Sequence, residues 1–328
     1  MKRTQKMASL PSCFSLARAL LLLAGLAGFS PLQAAFQDVN WGARPVGMGG
    51  AFTAVADDAN APLYNPAGIV QVQWNEISAM YSRLFSGLTL YSGQDTVHLD
   101  QSYLAYVSKP IPHVGSVGVS WSNFTTTHLY HENTLALTYA RNVGDFIPSL
   151  NNSLAVGVNL KYLRRSISLD AYTANDPVFR GGDSASAVTL DAGVLYKPEE
   201  GLLDGWRFGF SGQNLTEPNV GFNATDKVAR LWRLGTAYQS KQLPWLVPSL
   251  DLVRRDDVTN VQGGIESWLF QDTLGLRAGG NRQEAAAGVS YYYAATKKFG
   301  LRLDYGLTIP FYVENTSGSH RLALTVYF

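Results

Sequence analysis

The sequence is poor in cysteine and in charge, and each deficit excludes a class of protein. Cys13 is the single cysteine of the 328 residues, and only 16% of the residues are charged. Because nothing after Cys13 can form a disulfide or a zinc–thiolate site, a disulfide scaffold and a cysteine enzyme are excluded for the rest of the chain. The formal net charge of +1 provides no basic excess for phosphate contacts, so we expect no nucleic-acid partner.

Long apolar runs are confined to the amino terminus. Basic residues at the start of the chain precede an apolar core over residues 19–29, and small residues follow at Ala34 and Ala35. This pattern is typical of a secretory signal peptide, and its core is too short for a spanning helix. We predict that residues 1–34 form a leader that is removed on export. No later apolar run reaches the roughly 18 residues that a transmembrane helix requires.

Alternation of apolar and polar residues dominates the chain from Trp74 onward. Residues 154–163, 188–197 and 301–308 each place apolar side chains at every second position. A period of two predicts β-strands with one apolar and one polar face. Segments of about ten residues exceed the usual ~5–6 of soluble strands and match a tilted bilayer crossing. A soluble sandwich would bury the apolar face, whereas a membrane barrel turns it toward lipid, and segment length favours the barrel.

The predicted fold class is all-β, with a transmembrane antiparallel β-barrel of about 14 strands, the even number that single-chain bacterial barrels require. The strands occupy residues 74–328. The two longest connections, residues 168–186 and 215–229, fall on the same side of this barrel, which should be extracellular. A further short strand within residues 87–92 leaves twelve and sixteen strands as alternatives.

The last strand and the aromatic residues indicate the outer membrane. Residues 320–328 alternate and end on Phe328, which resembles the assembly signal of bacterial outer-membrane proteins. We therefore predict a location in the cell outer membrane of a Gram-negative type, with outer-membrane lipids and the barrel-assembly machinery as partners. Aromatic residues near the predicted strand ends suit the interfacial girdles of such barrels. They are Tyr81, Tyr139, Tyr162, Tyr196, Trp206, Tyr238, Trp268 and Tyr293.

Residues 35–73 break the alternation and are called the hatch from here on. Glycines cluster near its start, a short helix is predicted from Ala51 to about Ala56, and a turn follows at residues 65–68. A segment of this size cannot fold alone, so we predict that it lies in the barrel lumen. The candidate hatch and gating residues are Arg44, Gly47, Gly49, Gly50, Asp57, Asp58, Asn65, Pro66 and Gly68. The chain is thus predicted to divide into a leader (1–34), a hatch (35–73) and a barrel (74–328).

Charged residues on the polar faces of the strands are predicted to face the lumen. An outward lysine or arginine at mid-membrane costs about 2–4 kcal/mol, which favours the inward register. The predicted lumen network comprises Lys161, Asp191, Arg207, Arg233, Asp251, Glu266, Arg277, Arg302 and Asp304. Such a network either selects anions and polar solutes or clamps the hatch. We favour the clamp. Positive and negative charges together largely cancel the electrostatic potential that would select ions, but they can still form ion pairs that hold the hatch in place.

Groups suited to catalysis or metal binding are few. The glycine cluster GMGGAF lacks the preceding strand and the βαβ unit of a phosphate loop. Asp57 and Asp58 with Asn60 offer oxygen ligands for calcium, but capping and turn roles suit their position better. His131 beside Glu132 has no nucleophile motif near it. We predict no enzyme activity, no cofactor and no metal site.

The hatch sequence GARPVGMGGAFTAVADDANAPLYNPAG resembles the amino-terminal signature of FadL-like and PorV-like outer-membrane proteins. GFSGQNLTEP (209–218), LWRLGTAY (231–238) and GGIESWLFQDTLGLRAGG (263–280) look like later segments of the PorV-type branch. The resemblance implies an outer-membrane barrel whose amino terminus lies in the lumen as a hatch. FadL transporters are noticeably longer, which moves this chain toward the shorter PorV-like branch.

Two functions of different classes follow from this resemblance. FadL-like proteins imply passive transport of small hydrophobic molecules, which is our leading hypothesis. PorV-like proteins imply the alternative, an interaction or scaffold protein that holds an exported or surface protein. The alternative predicts a sealed lumen and partner contacts in the loops at 168–186, 215–229 and 310–319.

Overall fold

The computed structural model describes residues 35–36, 40–88, 90–92, 95–112, 114–127, 129–147, 150, 153–169, 176–179, 182–198 and 200–328. The predicted leader, residues 1–34, lies outside the described residues. In this part of the chain, no helix combines the length and the apolar character that a helical membrane crossing requires.

Strands follow one another along the chain from Glu76 to Tyr327. They are β1 (Glu76–Ser86), β2 (Leu90–Ser92), β3 (Asp95–Val97), β4 (Leu99–Val107), β5 (Ser116–Thr126), β6 (Tyr130–Asn142), β7 (Leu154–Ile167), β8 (Ser184–Tyr196), β9 (Trp206–Gln213), β10 (Leu231–Tyr238), β11 (Leu246–Arg255), β12 (Val258–Leu269), β13 (Leu274–Gly280), β14 (Glu284–Thr296), β15 (Phe299–Pro310) and β16 (Gly318–Tyr327). Within the described ranges, fourteen of these strands close into one barrel in which β1 pairs with β16. Each pairing is antiparallel, as between β1 and β16 or β7 and β8. The predicted fold class is therefore confirmed.

The short segment at residues 87–92 does not add a strand to the barrel. Leu90 pairs with Val97 in a two-stranded hairpin of β2 and β3, which is separate from the barrel sheet. The alternatives of twelve and sixteen barrel strands are therefore excluded for the described part of the chain.

The helices are short. They are α1 (Ala43–Gly47), α2 (Ala61–Tyr64) and 3₁₀ turns at Pro66–Gln71, Val143–Asp145, Pro177–Phe179 and Gly201–Leu203. The helix predicted from Ala51 to Ala56 is wrong, because this stretch is held as turns by the barrel wall. Asp251 of β11 accepts the amide N–H groups of Phe52 and Thr53 at 3.0 and 2.9 Å. The backbone then turns at Ala56, where φ is +27°.

The two faces of each barrel strand have opposite surroundings. On the outer face, Leu137 and Leu160 are 55% and 48% exposed, whereas Asn159 on the inner face is fully buried. The apolar belt therefore faces outward, as lipid contact requires. The girdle assignment of Trp268 is wrong: this residue follows Glu266 in the inward register, and its ring lies 5.1 Å from the guanidinium of Arg277.

The start of β1 and the end of β16 lie at the same end of the barrel. The backbone N–H groups of Asn75 and Phe328 donate to each other's carbonyl oxygens at 3.1 and 3.0 Å. We call this the short-turn end and the opposite one the long-loop end. In outer-membrane barrels short turns face the periplasm and long loops face outward.

The buried core lies between the hatch and the inner wall. Met48, Phe52, Tyr64 and Ile69 of the hatch are each at most 1% exposed. An eight-stranded barrel is just filled by its own side chains, so a wider barrel encloses a lumen that either holds water or is plugged. Here the hatch occupies that space.

Leu324 on the outer face of β16 tests the register. Leu324 is 46% exposed and pairs with Ala79 and Leu303 on the neighbouring strands. We expect Leu324→Arg to destabilise the inserted barrel by about 2–4 kcal/mol, because the charge would face lipid. The measurement is the fraction of barrel that keeps its heat-modifiable gel migration, with Leu324→Met as the control. Normal migration of the arginine variant would contradict the outward register.

Candidate functional site

A closed ring of alternating charges joins the hatch to three strands of the wall. Its members are Arg44 and Asp58 of the hatch, Glu266 of β12, Arg277 of β13, and Arg302 and Asp304 of β15. All six side chains are buried, with at most 6% exposure. Buried charges are tolerated only when they are paired and hydrogen-bonded. The three cations and three anions of this charge ring meet that condition.

Arg44 is the centre of the charge ring. Its Nε and Nη2 donate to the two carboxylate oxygens of Glu266 at 2.8 and 2.7 Å, and its Nη1 donates to Asp57 and Asp58 at 2.6 and 2.9 Å. This is the bidentate geometry for which an arginine cannot be replaced by lysine. Glu266 also accepts from Arg277 Nε at 2.5 Å, so one wall carboxylate holds two guanidinium groups.

The far side of the charge ring passes through a serine. Arg277 Nη1 donates to Ser290 Oγ at 2.5 Å, and the Ser290 hydroxyl donates to Asp304. Arg302 donates from Nε to Asp304 and from Nη2 to Asp58, both at 2.8 Å. These contacts return the ring to the hatch.

Asp58 is held in its charged form. Burial alone would raise the pKa of Asp58, but Arg44 and Arg302 together keep that pKa well below its ordinary value. Its other carboxylate oxygen accepts the backbone N–H and the side-chain amide of Asn60, both at 2.9 Å. The two Asp58 oxygens considered for calcium are therefore occupied by protein donors. Among the described residues, no group of His, Cys, Asp and Glu is arranged to hold a metal ion.

Asn65 fixes the turn at the other end of the hatch. Its side-chain Nδ2 donates to the carbonyl oxygens of Thr53 in the hatch and Val194 in β8, each at 3.0 Å. Its Oδ1 accepts the N–H of Ala67 at 3.1 Å, which caps the 3₁₀ turn that begins at Pro66. One asparagine thus ties two parts of the hatch to the wall.

Glycines of the hatch serve its tight course through the lumen. Gly49 and Gly50 have φ values of +65° and +86°, which favour glycine. A Cβ on Gly68 would lie 2.1 Å from the carbonyl oxygen of Ala56, and one on Gly47 would lie 3.0 Å from the Cα of Gly288. The structure therefore places the predicted hatch glycines where side chains do not fit.

Inward-facing glycines of the wall let the hatch backbone approach closely, and sequence analysis missed them. This glycine wall comprises Gly157, Gly193, Gly209, Gly235, Gly264, Gly279, Gly288 and Gly306. A Cβ on Gly209 would stand 2.3 Å from the carbonyl oxygen of Thr53, and one on Gly264 would stand 2.3 Å from that of Met48. Their shared inward position in the alternation was the available signal.

Wall residues that bind the hatch backbone were also missed. Glu76 accepts the N–H of Ala59 at 2.8 Å, and the Tyr103 hydroxyl donates to the Ala59 carbonyl at 2.8 Å. Asn159 donates to the Pro62 carbonyl at 2.8 Å. These residues are neutral or lie at strand ends, so a search for inward charges in strand centres does not find them.

The other predicted lumen charges also face inward, at places away from the ring. Lys161 Nζ lies 2.8 Å from Asp191 Oδ1. Arg233 is 1% exposed, and its guanidinium lies 4.9 Å from the centre of the Tyr64 ring. Asp251 binds two hatch amides, as described above. The predicted set is thus brought inside the barrel, but in several clusters.

A large cavity opens at the short-turn end. It measures about 870 Å³ and is called the vestibule here. Its lining combines the aromatic residues Trp74, Trp245 and Phe270 with the cations Lys197 and Arg207. Phe270 is 76% exposed, so part of this aromatic surface is open to solvent.

A smaller cavity lies at the long-loop end, among the residues that the structure describes. The cavity there measures only about 100 Å³ and is lined by residues such as Trp41, Lys161 and Asp191. The connection at 214–230 lies at this end, and its Val220 and Val228 are fully buried against Leu163 of β7. Part of the predicted partner loop at 215–229 therefore packs on the barrel itself, and the rest is exposed.

A closed barrel with an apolar outer belt and a polar, filled interior defines an outer-membrane protein. Solved structures share this fold. The Pseudomonas putida toluene transporter TodX is 12% identical with a TM-score of 0.56, over 88% of this chain and 97% of that one. A Pseudomonas aeruginosa FadL homologue is 12% identical with a TM-score of 0.51, over 84% and 95%. The Ralstonia pickettii toluene transporter TbuX is 13% identical with a TM-score of 0.51, over 88% and 97%.

The sequence itself identifies the family. Residues 59–328 match the family described as type IX secretion system membrane protein PorP/SprF, and the chain belongs to that family. The expected relationship to FadL-like and PorV-like barrels is supported. No curated protein matches the sequence significantly.

Gly264 and its neighbour Gly263 provide a matched test of the glycine wall. We expect Gly264→Ala to push the hatch off the wall at Met48, at a cost of about 1–3 kcal/mol for overpacking. Gly263→Ala should be neutral, because its Cβ would meet only Leu250, at 3.8 Å. The measurement is protease cleavage within residues 44–68 of the folded barrel. Equal cleavage of the two variants would contradict the assigned contact.

The lowered pKa of Asp58 predicts acid sensitivity of the hatch. A carboxylate whose folded pKa is depressed contributes stability above its ordinary pKa of about 4 and loses that contribution as pH falls further. We expect hydrogen-exchange protection of residues 44–68, corrected for intrinsic rates, to stay constant from neutral pH to about pH 5 and to drop in stronger acid.

The variant Asp58→Asn separates this effect from general acid denaturation. It should weaken hatch protection at neutral pH and reduce the acid-dependent loss, because the titrating group is gone. Asp272→Asn, at an exposed turn, should behave like the parent. A parent-like acid profile in Asp58→Asn would show that the ring does not depend on this carboxylate.

Proposed function

We propose that the chain is a plugged outer-membrane component of a type IX secretion apparatus, which holds protein partners and does not conduct a solute. The family described as type IX secretion system membrane protein supports the apparatus. The observation that carries the rest is the charge ring, in which Arg44 and Asp58 of the hatch are bound to three wall strands. Removing one partner of a buried ion pair costs about 3–5 kcal/mol, so displacing the hatch is expensive.

Passive transport of small hydrophobic molecules has less support. Small-molecule sites are typically mostly apolar cavities of about 300–1,000 Å³. The cavity at the long-loop end measures about 100 Å³, and the Lys161–Asp191 ion pair lies on its lining. The vestibule, at about 870 Å³, is within this size range, but the charged residues Lys197, Arg207 and Glu266 lie on its lining. The toluene transporters share the fold with this chain at 12–13% identity, which says nothing of a shared substrate. We therefore favour the interaction function over the transport function expected first from the sequence.

The predicted hatch residues act as anchors in this proposal. Arg44, Asp57 and Asp58 each pair with a charge of the wall, and Asn65 binds the wall backbone. The partners are Glu266, Arg207, Arg302 and the Val194 carbonyl, respectively. A gate would need contacts that exchange readily, whereas bidentate and fully buried ion pairs favour a fixed position.

We also propose that the chain is not an enzyme. His131 Nδ1 contacts Thr125 Oγ1 at 3.0 Å, and Glu132 binds the backbone N–H of Phe36 at 2.7 Å. A hydrolase needs its histidine to activate a nucleophile and a third group to orient the histidine. The Thr125 contact is a cross-strand pair within β5 and β6, which suits a structural role.

The vestibule is the surface that we propose for a partner in the apparatus. Trp74 and Trp245 are 38% and 42% exposed beside Lys197 and Arg207. Tryptophan and arginine are enriched among the residues that dominate binding energy in protein interfaces. A second surface is the loop at 310–319, where Phe311 and Tyr312 are 58% and 80% exposed at the long-loop end.

Conductance of the purified barrel in planar bilayers tests the plug. We expect the full-length protein to show little ion flow, and a variant lacking residues 44–68 to conduct at least tenfold more, because the hatch fills the lumen. Heat-modifiable migration serves as the control for folding of the deletion variant. An unchanged conductance in the folded deletion, or rapid uptake of toluene by vesicles carrying the full-length protein, would refute a plugged interaction barrel.

Photo-crosslinking in the bacterium that encodes the chain tests the partner surfaces. A photoreactive residue replacing Trp245 or Tyr312 should form a defined adduct with a protein of the secretion apparatus. The same residue replacing Leu137 on the lipid-facing wall is the matched control and should give none. Absence of adducts at both test positions, together with normal secretion in a strain lacking the protein, would contradict the proposed function.

A further inference from the structure

The first described residues of the hatch are bound in a site at the long-loop end, which is called the seat here. It consists of Glu132, Arg255 and an apolar pocket around Ala35. Phe36 N–H donates to Glu132 Oε1 at 2.7 Å, and Arg255 Nη2 donates to the carbonyl oxygen of Ala35 at 3.3 Å. Ala35 is fully buried. Two backbone groups of this dipeptide are therefore bound by side chains of β6 and β11, on different sides of the barrel.

An apolar pocket surrounds Ala35. Leu163 of β7 packs with Val220 and Val228, and all three are at most 2% exposed. A hydrogen bond within the connection holds the two valines in place. The Val220 N–H donates to the carbonyl oxygen of Asp226 at 2.9 Å. Asp226 is in turn ion-paired with Arg165 of β7. The methyl side chain of Ala35 packs in this pocket.

Glu132 is the acidic group of this seat. It is 8% exposed and accepts hydrogen bonds from the Phe36 N–H and the Tyr130 hydroxyl. The cations Arg165 and Arg255 both attract the Glu132 carboxylate. The guanidinium of Arg165 is paired with Asp226, however, and that of Arg255 binds the Ala35 carbonyl. Among the described residues, neither forms a direct ion pair with Glu132. A carboxylate this deeply buried is costly unless a positive charge compensates it.

Removal of the predicted leader would create such a charge one residue away. Hydrolysis of the peptide bond between Ala34 and Ala35 by a leader peptidase uses one water molecule. The hydroxyl goes to the new carboxyl group of Ala34, and the hydrogen goes to the nitrogen of Ala35. That α-amino group is protonated at neutral pH, because its ordinary pKa is about 7.7–8.0.

We propose that the seat binds the α-ammonium group of the processed chain. The ammonium of Ala35 pairs with the Glu132 carboxylate, Arg255 holds the first carbonyl, and the methyl group of Ala35 fills the apolar pocket. Leader removal at this bond then anchors the hatch at both of its ends, the other being its junction with β1. The inference concerns completion of the plug and does not depend on the proposed function in secretion.

The reactivity of the amino terminus tests this assignment. The protein is purified from outer membranes, its first residue is determined by intact mass, and its α-amine is labelled at neutral pH with an amine-reactive reagent. We expect Ala35 as the first residue and labelling at least tenfold slower than in Glu132→Gln. Glu217→Gln changes a carboxylate at the same end that is paired with Arg230, and it should label like the parent.

A second variant leaves every side chain of the seat intact. Two residues, Gly-Ser, inserted between Ala34 and Ala35 keep the leader junction but move the ammonium away from Glu132. We expect the α-amine of this extended chain to label as fast as in Glu132→Gln, in a barrel with normal heat-modifiable migration. A different first residue in the parent, or equal labelling of the parent and the extended chain, would overturn the proposal.

Discussion

Neutralisation of buried charge inside the barrel is the constraint on which the rest of this structure depends. Burying Arg44 without Glu266 would destabilise the folded barrel, because the charge would have no partner. Burying Glu266 without Arg44 and Arg277 would destabilise it for the same reason. Each charge of the ring can therefore be buried only because its neighbours in the ring carry the opposite charge. The hatch is then part of the barrel interior, and the wall is incomplete without it.

Two different parts of the wall hold the hatch in position, one by steric fit and one by electrostatic contacts. The glycine wall provides space where hatch backbone lies against strand backbone, as at Gly209 and Thr53. The charge ring provides direction, because a bidentate arginine accepts its partner in one orientation. The close backbone contacts alone would not fix the hatch along the wall, and the ion pairs alone would leave the rest of its backbone unplaced. The two together specify one position.

The sequence predicted the barrel well because its signal is local. Alternation in residues 154–163 shows both faces of β7, and the same register places Lys161 inside. The backbone conformation of the hatch could not be predicted in this way, because its turns depend on partners far along the chain. The helix expected at Ala51–Ala56 fails because Asp251, 199 residues after Phe52, takes the amides there. The girdle prediction for Trp268 fails because an aromatic residue near a strand end can lie in a girdle or in the lumen. Only the register of the strand decides which way its side chain points.

The long sequence separation within the charge ring has a consequence for biogenesis. Arg44 meets Glu266 across 222 positions, and Asp58 meets Arg302 across 244. A chain that emerges amino-terminus first must therefore carry its hatch through most of barrel construction without its final partners. Pairing of β1 with β16 closes the cylinder directly beside the hatch exit at Asn75. Threading after closure is topologically unfavourable, so the sheet must wrap around a hatch that is already inside. A truncated cylinder that lacks its last strands loses the Arg302–Asp58 contact and retains the hatch less firmly.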